Sequence, residues 1–440
     1  MAAAWPASSP IPNGYNWRAL ANALDFIAVP PDPPAVEKLR SYQHDGMFTG
    51  INADPLLIKD NPRATQWLPW YAVLHGFPAL WITTPHGGAH DAAPHAALLP
   101  DGTPSDGLTQ LLLSADELKG GLGALLLAST RVPAEIAILD SPASRYLNYI
   151  SPPPGHAGDG DPETRFIEAL ETLGYQCDYL PANTLNTDTL APYKVLVLPA
   201  ARAISGEDVR AIRDFSSRGG VILADIPPAT HDGHGALREE PPLEDLPRIP
   251  KPDEIETLLQ DSGVGQTISL DRPFNGERIR LRFGTAEILA CLASPTAEKQ
   301  NIALKFGKDT NVYDLRLGQR MGFPRRARRA IPPGDVLLMS SLPYKVKSIL
   351  VTPLPTSLAE AGRKIGIAVQ SSNDSALSIH LFEIQQLDKY GNIIPGAIHT
   401  QIAPRGTAQA TLPPSSKGAL RTHAVQVRDV LTGATTRKNI

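Results

Sequence analysis

The first 130 residues alternate between short apolar runs and stretches with helical spacing. Apolar runs at residues 24–29, 47–51 and 79–82 predict three strands. Between them, residues 34–42 and 67–74 carry apolar side chains at spacings of three and four, which predicts two helices. This order of strand, helix, strand, helix, strand is typical of a parallel sheet.

A further helix is predicted before residue 130. Ser114 is a suitable N-cap, and Asp116 and Glu117 place acidic side chains in the first helical turn. The pattern predicts a helix from this point to about Thr130.

The middle of the chain repeats the strand and helix alternation more clearly. The helices end at glycines, which favour the left-handed backbone there. The pattern predicts a doubly wound parallel sheet with helices on both faces. The predicted strands are 136–139, 177–180, 194–198 and 221–224, and the predicted helices are 162–173 and 205–218.

Beyond residue 266 the apolar period drops to two, and turn residues recur every 8–12 positions or so. This is typical of antiparallel β-sandwich material. The charged, proline-rich stretch before it predicts a linker, and residues 254–259 are predicted to begin a short helix. Residues 266–346 and 347–440 form two blocks with this pattern.

Composition restricts the classes of partner. The chain has 440 residues, enough for several domains, with 41 Lys and Arg against 45 Asp and Glu. A formal charge of −4 argues against nucleic-acid binding. The sequence shows neither an apolar run long enough for a membrane helix nor an export signal, so neither a nucleic acid nor a membrane is expected as a partner. The compartment stays open, with the cytoplasm as the default.

Two signatures that would indicate a cofactor or a nucleophile are missing from the middle of the chain. The turn after the first of its strands, residues 140–145, has no glycine to cradle a phosphate. The turn after its third strand, residues 199–201, reads Pro-Ala-Ala and has no cysteine nucleophile. Cys177 lies inside a predicted strand, where we expect it to be buried and inert. No cofactor is predicted.

The order of these modules resembles the glycoside hydrolase family 42 β-galactosidases. Residues 193–200 and 218–225 are similar to the trimerisation domain of that family, which has a flavodoxin-like, class I glutamine amidotransferase-like fold. Residues 67–77 look like the last helix and strand of its (β/α)8 barrel, and residues 99–104 look like the loop that follows. The resemblance covers residues 25–235, followed by a β-rich tail.

The resemblance implies a fold class of α/β followed by all-β, in five segments. We expect a partial (β/α)8 barrel remnant, with only the last three strands, followed by a flavodoxin-like domain of the trimerisation type. A linker, a β-rich domain and an Ig-like β-sandwich domain follow. The predicted bounds are 1–133, 134–240, 241–265, 266–346 and 347–440.

This reading leaves the catalytic machinery incomplete. A whole barrel needs about 250 residues, roughly twice what precedes the flavodoxin-like segment. Retaining glycosidases use two carboxyl groups about 5–5.5 Å apart. In the family the acid/base follows the fourth barrel strand, which we do not find, and the nucleophile is a Glu after the seventh. The corresponding residues 47–55 hold no Glu, so only Asp54 could substitute.

Aromatic side chains are the candidates for sugar contact. Trp67, Trp70 and Trp81 are those expected to stack on a sugar ring, against the alternative that they pack the last helix onto the barrel. His86 begins the motif H-x3-H-D-x3-H after the third strand. Glycines between its histidines weaken the metal hypothesis, so we favour a sugar-contacting or solvated loop and predict no metal site. The motif's other members are His90, Asp91 and His95.

Three functional hypotheses follow. The leading one is a truncated or split family 42-like glycoside hydrolase that supplies assembly and accessory domains and is inactive alone. It implies a homo-oligomer, with a trimer possible, through the flavodoxin-like domain, a second chain carrying the missing strands, and a carbohydrate ligand. The alternatives are a non-catalytic carbohydrate-binding or scaffold protein, and an active hydrolase with Asp54 as nucleophile and an acid such as Asp32 or Asp91.

Overall fold

The computed structural model describes most of the chain. The described residues are 16–53, 62–82, 97–99, 101–153, 161–245, 253–307, 310–355, 362–372, 377–413 and 422–440.

The amino-terminal region is a three-stranded parallel sheet in the order β1-β2-β3. The three strands and the two helices between them lie close to where the apolar pattern predicts them, whereas the helix Trp17–Ala23 was not predicted. Helix α2 begins after Asp32, whose carboxylate accepts a hydrogen bond from the amide of Ala35. The elements are α1 (Trp17–Ala23), β1 (Phe26–Val29), α2 (Pro33–Tyr42), β2 (Phe48–Ala53), α3 (Pro62–Leu74) and β3 (Ala79–Ile82).

The helix predicted to start at Ser114 has its N-cap nine residues earlier, at Ser105, and ends at Glu117. Helix α4 (Asp106–Glu117) is capped by Ser105, whose hydroxyl accepts from the amide of Leu108. Ser114 is therefore a buried residue inside the helix. Gly121, at φ 93°, kinks the chain before α5 (Gly123–Leu127). Two serines in this stretch, Ser105 and Ser114, are followed by acidic residues and could each cap a helix. The packing of the buried Leu108 and Leu111 favours a helix that begins after Ser105.

The middle region is a four-stranded parallel sheet in the order β6-β5-β7-β8. Helix α6, which follows β5, was not predicted; Ser141 caps it and Pro142 occupies its first turn. The bounds are β5 (Ile136–Asp140), α6 (Pro142–Ile150), α7 (Pro162–Leu173), β6 (Cys177–Pro181), α8 (Thr187–Leu190), β7 (Val195–Leu198), α9 (Gly206–Ser217) and β8 (Val221–Ala224).

Part of the predicted linker 241–265 is packed structure. Leu243 is fully buried beside one face of the parallel sheet. Helix α10 (Asp253–Asp261) buries Ile255 and Leu259 against the other face. The short helix predicted from Glu254 to Leu259 is confirmed within α10, whereas the charged, proline-rich composition gave no sign that Leu243 is buried.

An antiparallel sheet follows, in the order β13-β12-β15-β10-β9-β4. Strand β4 (Thr130–Arg131) falls within the segment 1–133, yet it pairs with β9 at Arg282 and Leu281. The amino-terminal segment therefore contributes an edge strand to this sheet. The other strands are β9 (Gly276–Phe283), β10 (Ala286–Ala293), β12 (Asn311–Asp314), β13 (Gln319–Gly322) and β15 (Val336–Leu342), with a separate pair of β11 (Gln300–Lys305) and β14 (Arg326–Ile331).

The carboxy-terminal region consists of two antiparallel sheets that share a core, with Ile367 from one sheet and Val427 from the other in the same cluster. The sheet orders are β16-β17-β20 and β19-β18-β21-β22. The bounds are β16 (Val346–Leu354), β17 (Arg363–Ser371), β18 (His380–Leu387), β19 (Ile393–Ala403), β20 (Thr407–Leu412), β21 (Ala424–Asp429) and β22 (Thr435–Asn439).

One continuous hydrophobic core joins the amino-terminal region, the six-stranded sheet and the carboxy-terminal sheets. Trp70 of α3, Tyr313 of β12 and Val425 of β21 all belong to it, and all three are essentially inaccessible. Cys177 and Cys291 are both buried free thiols. Burial raises the pKa of the Cys177 thiol well above its usual range, as expected for an inert cysteine. None of the helices in the described part of the chain combines the length and apolar character needed to cross a bilayer.

Candidate functional site

The amino-terminal sheet has one buried face and one exposed aromatic face. Ile27, Val29 and Ile51 point into the core beside α2. Because side chains alternate along a strand, Phe26, Phe48 and Trp81 point to the other side. Their rings cluster, with the centroid of Phe26 lying 4.5 Å from that of Trp81 and 5.8 Å from that of Phe48.

This aromatic face is open to solvent. Phe48 is 45% exposed and Trp81 is 42% exposed. Asn52, which pairs in register with Trp81, has a buried side-chain oxygen without a hydrogen-bond partner among the described residues. Trp81 is therefore a predicted sugar-stacking residue whose ring is accessible.

The two remaining catalytic and binding candidates on this edge are Asp54 and His86. Asp54 directly follows β2, and His86 follows β3 after a few residues. Both lie outside the described residues. Within the described part of the chain, no group of three or more His, Cys, Asp and Glu side chains is arranged to hold a metal ion.

Trp70 does not fit the predicted role in sugar contact. Its side chain is fully buried, and the Arg316 guanidinium lies 5.2 Å from its ring centroid. It packs helix α3 into the shared core, which was the alternative weighed for it. The helical spacing of Trp67 and Trp70 could not show which of the two faces the core.

Trp67 instead belongs to a cavity between three parts of the molecule. The cavity measures about 290 Å³ and lies between α3, α7 and the start of β9. Trp67 and Tyr71 line it and stack on each other, with ring centroids 4.1 Å apart. Glu171 and Glu277 also line it. Gly276 is required in the wall because its φ is 146° and a Cβ would stand 2.2 Å from the carbonyl oxygen of Leu292.

A buried ionic network adjoins this cavity. His75 Nε2 lies 3.1 Å from Glu37 Oε1 and 3.2 Å from Glu277 Oε2. Although burial opposes protonation, the carboxylates of Glu277 and Glu37 raise the pKa of His75 to about 9. Its Nδ1 lies 2.8 Å from the carbonyl oxygen of Tyr71, to which it donates.

Glu37 is the anionic centre of the network. It contacts Arg40 at 2.6 Å and Arg131 at 2.8 Å in addition to His75. Burial alone would raise the pKa of Glu37, but Arg131 and Arg40 hold it well below its usual range. Arg40 also donates to Asp178 and to the carbonyl of Cys177, each at 2.7 Å. Helix α2 thereby bonds to the exposed edge of strand β6.

A second ionic cluster stands at the carboxyl end of β5. Lys38 of α2 contacts Glu163 and lies 3.4 Å from Asp140. Arg145 contacts both acids, and Tyr42 donates to Asp140 at 3.0 Å. Although burial opposes it, Lys38 and Arg145 lower the pKa of Asp140.

The crevice between β5 and β7 is where a doubly wound sheet of this strand order binds ligands. In this chain it is bridged by internal hydrogen bonds. The hydroxyls of Ser141 and Ser144 donate to the carbonyl of Ala203 at 2.9 and 3.0 Å, and Asn148 donates to Ala200 at 2.8 Å. Ala200, after β7, has φ 39°, a left-handed backbone unusual for a residue with a Cβ.

Sequence reasoning missed the cavity and both ionic clusters. Glu171, Glu277 and Lys38 stand far apart in the sequence, and none belongs to a recognisable motif. One weak signal was present, because Glu168 and Glu171 are three residues apart on a predicted helix and must share a face.

Comparison with known proteins gives matches in structure only. No family model matches the sequence, and no curated protein matches it. A β-galactosidase from Bacillus circulans sp. alkalophilus has 12% identity and a TM-score of 0.59, covering 74% of this chain and 61% of that chain. A catalytic mutant of a GH42 β-galactosidase from G. stearothermophilus has 13% identity and a TM-score of 0.60, covering 76% and 62%.

A third match is the β-galactosidase from Rahnella sp. R3, with 14% identity and a TM-score of 0.58, covering 74% of this chain and 61% of that chain. The chain shares the fold of part of the GH42 β-galactosidases. It spans about three fifths of the length of these proteins. At such low identity the likeness concerns the fold.

Proposed function

We propose that this chain acts in carbohydrate metabolism as part of a GH42-type glycoside hydrolase. It supplies assembly and accessory domains and does not hydrolyse glycosides by itself. The likeness of fold to GH42 β-galactosidases over about three quarters of the chain supports the type of protein. The open aromatic face of the amino-terminal sheet supports the proposal that the active site is incomplete in this chain.

The observation that carries this proposal is the exposure of Phe48 and Trp81. In a (β/α)8 barrel the strand face opposite the helices is interior and packed with side chains. Here that face consists of three parallel strands, and two of its three aromatic residues, Phe48 and Trp81, are nearly half exposed. We take the strands as the last three of a barrel whose others come from a polypeptide segment outside this sequence, such as a second chain.

The proposed middle domain is flavodoxin-like and related to class I glutamine amidotransferases. The order β6-β5-β7-β8 supports it, because it corresponds to the flavodoxin order 2-1-3-4. The left-handed Ala200 after β7 stands where such enzymes carry a nucleophile on a strained turn. An Ig-like assignment of the carboxy-terminal domain is supported by its seven strands in sheets of three and four.

The proposed partner of the middle domain is another copy of the chain, in a trimer or other homo-oligomer. Helix α6 supports this because it exposes three large apolar side chains in a row on its outer surface. These are Tyr146, Tyr149 and Ile150, which are 45%, 53% and 79% exposed.

Light scattering on the purified full chain tests the oligomer. The wild type is expected to give a multiple of the monomer mass at micromolar concentration, and Ile150→Glu is expected to shift it to the monomer. The matched control is Leu237→Glu, at a residue 76% exposed in the same region, which should leave the mass unchanged. A monomeric wild type would refute the assembly role.

The open face is tested by two substitutions to glutamate on one sheet. Trp81→Glu should lower the free energy of unfolding by at most about 2 kcal/mol, because the side chain is 42% exposed and loses only its packing against neighbours such as Phe26. Ile51→Glu, on the covered face, should cost more than about 4 kcal/mol or prevent folding. Equal losses would mean that both faces are covered, against the proposed incomplete site.

A further inference from the structure

The cavity between α3, α7 and β9 holds a buried hydroxyl without a hydrogen-bond partner and a half-buried carboxyl group without an ion pair among the described residues. The hydroxyl of Tyr71 is buried and has no hydrogen-bond partner, although a buried hydroxyl normally has one. Glu171, on the facing helix, makes no ion pair with another described side chain. Tyr71 and Glu171 both line this cavity, as does Trp67.

The neighbouring ionic network does not neutralise Glu171, because its charges already balance. The cations are Arg40, Arg131 and protonated His75, and the anions are Glu37, Asp178 and Glu277. Glu171 is therefore a surplus carboxyl group beside a neutral cluster. Burial and the nearby Glu277 and Glu37 charges raise its pKa well above the usual range, as expected where a counter-ion is missing.

The cavity also offers an aromatic wall and a size suited to a small molecule. Trp67 lines the space, and its indole ring offers an apolar surface to the alkyl part of a ligand. A volume of about 290 Å³ is near the lower end for small-ligand pockets. Glu168, an exposed residue one turn before Glu171, places a carboxyl group at the cavity edge.

We propose that this cavity binds a small organic cation with a primary ammonium group. The ammonium N–H groups donate to the Glu171 carboxylate and to the Tyr71 hydroxyl oxygen, and the alkyl part lies against Trp67. Any proton that Glu171 carries in the free protein passes to solvent when the cation binds. A compact cation of this kind restores the missing counter-charge and satisfies the buried hydroxyl together. The site spans three regions of the chain, so its ligand also joins them, and it is separate from the exposed aromatic face of the amino-terminal sheet.

Thermal unfolding of the full chain with n-butylammonium chloride tests the proposal, at constant ionic strength set with NaCl. We expect a saturable rise in Tm with an apparent Kd on the order of millimolar. Glu171→Gln and Tyr71→Phe should each weaken the apparent affinity about tenfold, because each removes a hydrogen bond to the charged group. The matched control Glu254→Gln, at an exposed position of α10, should bind as the wild type does.

Tyr71→Phe provides a readout independent of ligand. It removes a buried hydroxyl without a partner and keeps the ring, so without ligand the variant should be at least as stable as the wild type. A folded variant that binds n-butylammonium as tightly as the wild type would overturn the proposal.

Two further ligands, n-butanol and galactose, distinguish the proposed cation from an apolar or a sugar ligand of the cavity. An equal response to n-butanol would mean that only the apolar part is recognised, and a response to galactose that is lost in Tyr71→Phe would make the cavity a sugar site. Either result overturns the proposal, as does the absence of any saturable rise with n-butylammonium.

Discussion

Lys38 Nζ lies 3.4 Å from Asp140 Oδ1, and this contact joins the amino-terminal region to the parallel sheet. Both side chains are almost completely buried, with 4% and 2% of their surface exposed. Lys38 also contacts Glu163. Helix α2 of the amino-terminal region therefore places the Lys38 ammonium group at the carboxyl end of β5, the first strand of the parallel sheet. Doubly wound sheets otherwise bind ligands at this edge.

Replacing Lys38 by Met should destabilise the chain by about 3 kcal/mol or more, because two buried carboxylates would then share Arg145 alone. Urea unfolding measures the effect. Lys119→Met is the matched control, since Lys119 pairs with Asp116 at the surface and both are mostly exposed. A midpoint for Lys38→Met equal to that of the control would show that the pair does not hold the regions together.

His75 should make stability fall as pH rises from neutral to alkaline values. Its pKa is about 9 in the folded chain, against about 6.5 for an unperturbed histidine. The stabilisation is therefore fully present below pH 6.5 and is lost as pH rises through 9, a change of roughly 3 kcal/mol. Urea unfolding between pH 6 and pH 10 measures it.

The difference between the wild type and His75→Gln reports the contribution of His75 and its carboxylate partners, because groups distant from this network titrate identically in both. His75→Gln should show a weaker pH dependence across that range, while His423→Gln, at an exposed histidine, should behave as the wild type does. Parallel pH profiles for the wild type and His75→Gln would contradict the raised pKa of His75.

Ala200 should tolerate glycine better than an ordinary buried alanine does. Its φ of 39° lies in the region where glycine has no steric penalty. Ala200→Gly should leave the free energy of unfolding within about 0.5 kcal/mol of the wild type, whereas Ala211→Gly, inside helix α9, should lower it by about 1 kcal/mol. Equal losses in chemical unfolding would mean that the turn is not strained.

Most elements could be predicted from the sequence where the apolar pattern was long or regular. Strands 79–82 and 195–198 and helix 162–173 agree closely with prediction, because continuous apolar runs and caps act locally. The burial of Leu243 within the predicted linker and the edge strand Thr130–Arg131 were not predictable in this way. Each is fixed by contacts with residues distant in sequence, such as the pairing of Arg131 with Leu281.

The candidate site was less predictable than the fold. The sequence does not show which of Trp81 and Trp70 is exposed. The packing of the folded chain leaves Trp81 exposed and buries Trp70. The cavity depends on Tyr71, Glu171 and Gly276, which three separate elements bring together. The residue types alone indicated neither the position of the cavity nor the charge of its lining.

Hydrolysis of nitrophenyl β-galactoside by the purified full chain tests the central claim most directly. The chain carries no complete pair of catalytic carboxyl groups in the proposed account, so nitrophenol release should equal that of Asp54→Asn and of buffer alone. Turnover at about 1 per second or faster, abolished in Asp54→Asn, would show that the chain is a complete enzyme and contradict the account.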